Sequence, residues 1–150
     1  IVYPHLKVTL LDSLNKRIKF LNCVIQELAL EDISALHGRA EDFAKKGEYR
    51  ERYDLCVSRA VANLATLSEY CLPYVKRNGL FVSYKSGEIE EELCKSEKAV
   101  SVLGGKIEKV EKFCLPESDI SRSFVMIRKD RSTPGRFPRK AGLPSKEPLQ

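Results

Sequence analysis

Apolar residues change their spacing repeatedly along this chain, and each change marks where one element gives way to the next. Residues 7–11 (Lys-Val-Thr-Leu-Leu) are rich in branched side chains and end at Asp12 and Ser13, which predicts a short strand. From Leu14 the period becomes helical: Ile18, Leu21, Ile25 and Leu28 share one face while Lys16, Arg17 and Lys19 occupy others, which predicts an amphipathic helix over 15–30. A less regular unit follows, with a strand over 33–37 before Gly38 and a short helical turn over 40–45 closed by Gly47.

The second half of the chain repeats the alternation. Residues 53–58 (Tyr-Asp-Leu-Cys-Val-Ser) read as a strand; Val61, Leu64, Leu67 and Cys71 then fall on one helical face, which Asn78-Gly79 is expected to stop. Further strands are expected over 80–84, 106–113 and 123–127, with a charged helix over 88–103 ended by Gly104-Gly105. Strands alternating with helices imply an α/β fold, a mostly parallel doubly wound sheet with helices on both faces. After Arg128 the periodicity stops, and four of the seven prolines (Pro134, Pro138, Pro144 and Pro148) mark an extended tail. The expected organisation is therefore one domain over 1–128 and a basic, Pro-rich tail over 129–150.

Composition narrows this picture. A chain of 150 residues, 43% hydrophobic and 31% charged, can bury one ordinary core. It has no apolar run of bilayer-spanning length and no signal-peptide pattern at Ile1, so a cytoplasmic location is expected. Met126 is the only methionine, and further residues are expected upstream of Ile1. The five cysteines are scattered, without a Cys-x-x-Cys pair, and only His5 and His37 accompany them, so free thiols packed in the core and no metal are expected. The net charge of +5 is concentrated in the tail, where six basic residues face two acidic ones. Such a tail suits a polyanion such as RNA, or is a solvated end without function.

Candidate chemistry sits just after the strands, because doubly wound sheets bind ligands beyond their carboxyl ends. Asp12 can accept hydrogen bonds from ribose hydroxyls, or can cap the following helix together with Ser13. In Gly38-Arg39-Ala40-Glu41-Asp42, the small Ala40 permits close approach of a flat base and Glu41 can accept from an exocyclic amine; the alternative is a solvated turn. In Ser58-Arg59-Ala60, burial of Arg59 at a strand end would demand an anion, either the carboxylate of a methionine moiety or a phosphate. Lys85-Ser86-Gly87 offers a cation beside a flexible residue, or a surface lysine. The chain contains no Gly-x-Gly-x-x-Gly, no phosphate-binding Gly-x-x-x-x-Gly-Lys-Ser/Thr and no nucleophile elbow, which removes most support for hydride transfer, nucleotide hydrolysis and serine hydrolysis.

The order and spacing of several short motifs carry a resemblance. They are Leu10-Leu11-Asp12-Ser13 with Asn15-Lys16-Arg17 and Phe20-Leu21, then Arg39-Ala40-Glu41, Ser58-Arg59-Ala60, Leu72-Pro73 and Asn78-Gly79. The ending continues them, from Arg122 to Lys129 and on through Thr133-Pro134, Phe137-Pro138-Arg139-Lys140-Ala141-Gly142 and Pro144. Together they resemble the glucose-inhibited division protein B family, the guanine-N7 methyltransferases of small-subunit ribosomal RNA. The resemblance implies a seven-strand, Rossmann-like methyltransferase sheet whose first strand and glycine-rich loop would precede Ile1. It implies S-adenosylmethionine as cofactor, with Ala40, Glu41 and Arg59 at cofactor-binding positions and Asp12 at the ribose.

Arg59 and Lys85 would then face the cleft as the catalytic candidates, and 16S ribosomal RNA or the small subunit would be the partner of a monomeric enzyme. Lys85, Arg122, Arg128, Lys129, Arg136, Arg139 and Lys140 are the expected RNA contacts. Two rival readings remain at this point: a non-catalytic RNA-binding module or inactive fragment, and a small-molecule methyltransferase of the same fold. A basic Pro-rich tail gives the second no purpose.

Overall fold

A computed structural model describes residues 1–59 and 61–149. The first unit is β1 (Val8–Asp12), α1 (Asn15–Glu27) and β2 (Ile33–His37), followed by the short α2 (Ala40–Phe43). The second runs through β3 (Tyr53–Arg59), α3 (Leu64–Cys71), a 3-10 turn (Leu72–Tyr74), β4 (Val75–Ser86), α4 (Glu90–Val102), β5 (Gly105–Cys114) and β6 (Ser121–Lys129), and α5 (Leu143–Lys146) closes the chain. The α/β class expected from the alternation is the one observed, with six strands among the described residues.

These strands form two sheets. β1 and β2 pair in parallel, while the other four lie in the order β3-β4-β6-β5. The β3-β4 pair is parallel, and β6 runs antiparallel to both β4 and β5 because a short loop joins β5 to β6 as a hairpin. Between the two sheets, β1 and β3 are bridged by the Tyr53 hydroxyl, which donates to Thr9 Oγ1 at 3.1 Å.

The core lies on one face of the four-stranded sheet. Phe81, Val125 and Ile127 point from the strands towards Leu64, Leu67 and Leu72 and towards Ile89, Val100 and Leu103, all of them excluded from solvent. Burying side chains of this size stabilises the fold by about 1.5–3 kcal/mol each. The strand period places Leu55, Val57 and Tyr84 on the opposite face, where 52%, 54% and 39% of their surface stays exposed.

Local chemistry corrects several expected boundaries. The helix after β3 begins at Leu64, because Asn63 Oδ1 accepts the Thr66 N–H at 2.9 Å and caps it; Val61 lies outside the helix and is exposed. Asn78-Gly79 does not stop a helix but lies inside β4, where pairing jumps from Tyr53–Val75 to Leu55–Leu80 and four residues of β4 protrude. Asn78 has φ +65°, and a Cβ on Gly79 would meet the Asp54 carbonyl oxygen at 2.8 Å. Of the five free cysteines, Cys71 is buried and Cys56 half-buried, whereas Cys23, Cys94 and Cys114 are exposed, so core packing does not extend to all five.

The C-terminal segment packs on the rest of the fold. The boundary expected at 128/129 falls inside β6, whose alternation buries Ser123, Val125, Ile127 and then Lys129. Beyond Lys129 the chain turns back over the helices, and Thr133, Phe137, Pro138 and Pro144 are buried. The turn depends on Gly104, with φ +89°, whose carbonyl accepts the N–H groups of Asp130 and Arg131; a Cβ there would stand 2.3 Å from the Arg131 carbonyl oxygen. Prolines leave the segment without a helical period, yet Phe137 and the buried charges described below anchor it to the core.

Candidate functional site at the carboxyl ends of the strands

The parallel pairs bring their carboxyl ends to polar residues. Asp12 ends β1 opposite His37 of β2. Its Oδ1 accepts the Leu14 N–H at 2.8 Å and its Oδ2 accepts from Arg17 at 3.1 Å. The Leu14 N–H, with Arg17 beside it, holds the carboxyl below its ordinary pKa against a weaker opposing effect of burial. Asp12 thus organises the turn into α1 while keeping 24% of its side-chain surface exposed. A carboxylate has about four acceptor sites, so these two donors leave capacity for a hydroxyl.

Ala40 and Glu41 open α2, which follows β2. The Ala40 carbonyl accepts from the Tyr74 hydroxyl at 2.6 Å, and burial drives that phenol well above its usual range. Glu41 is 4% exposed, and its Oε1 accepts the Gly142 N–H at 2.8 Å. The alternative of a solvated turn does not apply to this carboxylate, which is tied to the C-terminal segment by a contact no local sequence pattern announces.

Arg59 ends β3 with its side chain exposed, which removes the premise that burial forces it to find an anion. The third residue of Ser58-Arg59-Ala60 lies outside the described residues. Lys85, near the end of β4, retains 12% side-chain exposure; its ammonium donates to the Ala62 carbonyl at 2.7 Å and to Glu92 Oε1 at 2.6 Å. The same carboxylate oxygen accepts the Leu64 N–H at the start of α3. Lys85 is therefore a neutralised, fixed cation that joins β4, the loop after β3 and α4. Beside this node, Asn63, Ala65, residues 88–92, Lys95, Pro148 and Leu149 line a cavity of about 560 Å³.

The basic residues expected to meet RNA divide sharply. Arg122, Arg136 and Lys140 are exposed; the Arg136 guanidinium lies 5.1 Å from the Phe137 ring. Arg128 pairs with Glu108 at 2.8 Å and donates to the Asn78 carbonyl at 3.0 Å. Arg139 forks onto the fully buried Glu69. Lys129 is completely buried, donates to the Leu72 carbonyl at 2.6 Å and to Thr133 Oγ1, and lies 3.3 Å from Glu51. Its side chain points into the core and cannot reach a phosphate, so that expectation is corrected by the period of β6. Among the described residues no group of three or more His, Cys, Asp or Glu is placed to hold a metal ion.

The family model described as GidB, rRNA small subunit methyltransferase G, matches residues 1–121. The chain belongs to this family. A ribosomal RNA small subunit methyltransferase G of Lachnoclostridium phytofermentans is 54% identical over 149 residues, covering 99% of this chain and 62% of that protein. The namesake of Acetivibrio thermocellus is 56% identical over 149 residues, covering 99% of the chain and 61% of the relative. The chain thus spans a little over three-fifths of the length of these curated relatives. At the level of fold, a solved M. jannaschii TYW2 in complex with AdoMet superposes with a TM-score of 0.59 at 11% identity, over 82% of this chain and 58% of that one. The Rossmann-like methyltransferase fold implied by the motifs is the fold shown.

Several residues that fix the structure around the candidate site escape a local reading of the sequence. Glu69 and Thr66 are polar positions on a helix buried nearly all round, and the small side chains Ala65, Thr66 and Ser68 on its second face are the signal that something packs there. Arg50 and Glu92 have no such signal, because their partners lie far away in sequence: Arg50 donates to the carbonyls of Phe137 and Thr133, both at 2.8 Å.

Proposed function

We propose that this chain carries most of an enzyme that transfers a methyl group from S-adenosylmethionine to N7 of a guanine in 16S ribosomal RNA. The single observation that carries this reading is the succession of Asp12, Ala40, Glu41, Arg59 and Lys85 along the carboxyl ends of consecutive parallel strands, in a chain of this family. A ligand bound outside those ends would lie along the edge that these five residues border. The M. jannaschii protein of the same fold is in complex with AdoMet, which supports the same cofactor here.

The donor set fits that cofactor. Asp12 has acceptor capacity for ribose hydroxyls, the α2 entry at Ala40 and Glu41 suits a flat base, and the exposed guanidinium of Arg59 can fork onto a carboxylate or a phosphate. S-adenosylmethionine supplies a methyl group activated on a sulfonium. Guanine N7 has an in-plane lone pair and no proton, so the acceptor needs no general base, and this chain's residues act by positioning and by excluding water. Lys85, paired with Glu92, gives the proposed site a fixed ammonium–carboxylate dipole, not a free charge, that does not flex at the moment of reaction.

For RNA, the exposed Arg122, Arg136 and Lys140 are the candidates to meet phosphates, whereas Lys85, Arg128, Lys129 and Arg139 make contacts within the fold. No helix is long and apolar enough to cross a membrane among the described residues. A monomer acting on the small subunit in the cytoplasm completes the proposal. Incubating the protein with methyl-labelled S-adenosylmethionine and small subunits lacking the modification tests it. Label should enter 16S ribosomal RNA and be recovered as N7-methylguanine; label recovered on another atom, or none in RNA, contradicts the proposal.

A further inference from the structure

We propose that residues 133–149 form a strap that holds α2 at the cofactor edge of the sheet, with Arg139, Arg50 and Gly142 as positioning residues for cofactor binding. The inference rests on the reading above that Ala40 and Glu41 border the cofactor, and it assigns the C-terminal segment a task other than tracking RNA.

Three anchors fix the strap. The Arg139 guanidinium forks onto Glu69 through Nε and Nη2, and the Arg139 backbone N–H donates to the same carboxylate at 2.7 Å. Glu69 is fully buried, so this pair cannot be relaxed by water; removing one partner would strand the other charge in the core. Deeper in the fold, the Thr66 hydroxyl donates to the Pro144 carbonyl at 2.9 Å. Arg50 then donates to the Phe137 and Thr133 carbonyls, so α3, through Glu69 and Thr66, and the loop before β3, through Arg50, grip one segment.

The strap in turn holds α2 directly at its start and through Arg50 at its end. At its start, the Gly142 N–H donates to Glu41 at 2.8 Å, and Gly142 adopts φ +84°, a conformation that glycine takes without strain. At its end, the Arg50 group that holds Phe137 also donates to the Ala44 carbonyl at 3.2 Å. A helix of four residues has too few internal hydrogen bonds to hold its own position, so these outside contacts set where Ala40 and Glu41 stand. Arg139 acts on that position through the strap and touches neither α2 nor the proposed cofactor edge.

Amide hydrogen exchange and calorimetric titration with S-adenosylhomocysteine, on the protein and its Arg139→Ala variant, test the proposal. The amides of Asp42, Phe43 and Ala44 should exchange about tenfold faster in the variant while those of α1 keep their rates, and S-adenosylhomocysteine should bind about tenfold more weakly. Should the alanine variant not fold, Arg139→Lys keeps the charge, loses the fork and is expected to shift both readouts in the same direction. Unchanged exchange at α2 in a folded variant overturns the strap. Faster exchange at α2 with unaltered S-adenosylhomocysteine affinity instead overturns the placement of the cofactor at Glu41. A variant that loses only RNA affinity and its salt dependence would show that the segment is an RNA arm, contradicting the proposal.

Discussion

Lys85 and Glu92 meet between β4 and α4, ammonium to carboxylate at 2.6 Å, and the same carboxylate oxygen accepts the first backbone N–H of α3. The contact ties Lys85 to the loop that follows Arg59. If Glu92 acts on methyl transfer through Lys85, then Lys85→Met and Glu92→Gln should each slow the reaction, and the double variant should be no slower than the worse single one. The coupling expected for groups in direct contact is about 1–3 kcal/mol. Rates that multiply independently in the double variant would separate the two residues.

Arg59 is exposed at the end of β3, so its substitution should leave stability nearly unchanged and act on activity alone. Arg59→Lys keeps the charge but loses the planar fork, and kcat/KM for methyl transfer should fall at least tenfold, or about 1.4 kcal/mol. A lysine variant with the parent kcat/KM would remove Arg59 from the site.

Lys129 gives the fold a pH dependence of unusual sign. Burial lowers its pKa to about 8, against an opposing pull from Glu51, so below that pH the folded state carries a buried ammonium at a cost. Between about pH 8 and the unfolded value near 10.5 the unfolded chain binds more protons, and stability from this group rises with pH. The rise amounts to roughly 3 kcal/mol at most. Urea unfolding at pH 7.5 and 9.5 should show it in the parent protein and not in Lys129→Met, whereas a parent stability that falls over that interval without a difference from the variant would contradict it.

The sequence makes the alternation of strands and helices legible because each element states its period locally: Ile18 and Ile25 in α1, or Val125 and Ile127 in β6, are enough. The short motifs at Asp12, Ala40-Glu41, Arg59 and Lys85 also mark the carboxyl edge of the strands, where the cofactor site is proposed. What stays hidden is pairing across long sequence separations. Glu41 finds Gly142, Glu69 finds Arg139 and Glu51 finds Thr133 only after the chain has folded back, and proline-rich segments show no period to announce it. Lys129 illustrates the missed inference most clearly. Extending the two-residue alternation of β6 by one step predicts its burial, yet its charge suggests a surface position.

Binding of S-adenosylhomocysteine decides the account most directly, because the rival reading of a non-catalytic RNA module needs no cofactor pocket. Calorimetric titration of the full-length protein should show one site per chain. Asp12→Ala and Glu41→Ala should each weaken it by about 1–3 kcal/mol, the cost of deleting a hydrogen-bond partner. One-site binding that both substitutions weaken is the predicted result. No binding, or binding that neither substitution alters in folded protein, would contradict the account.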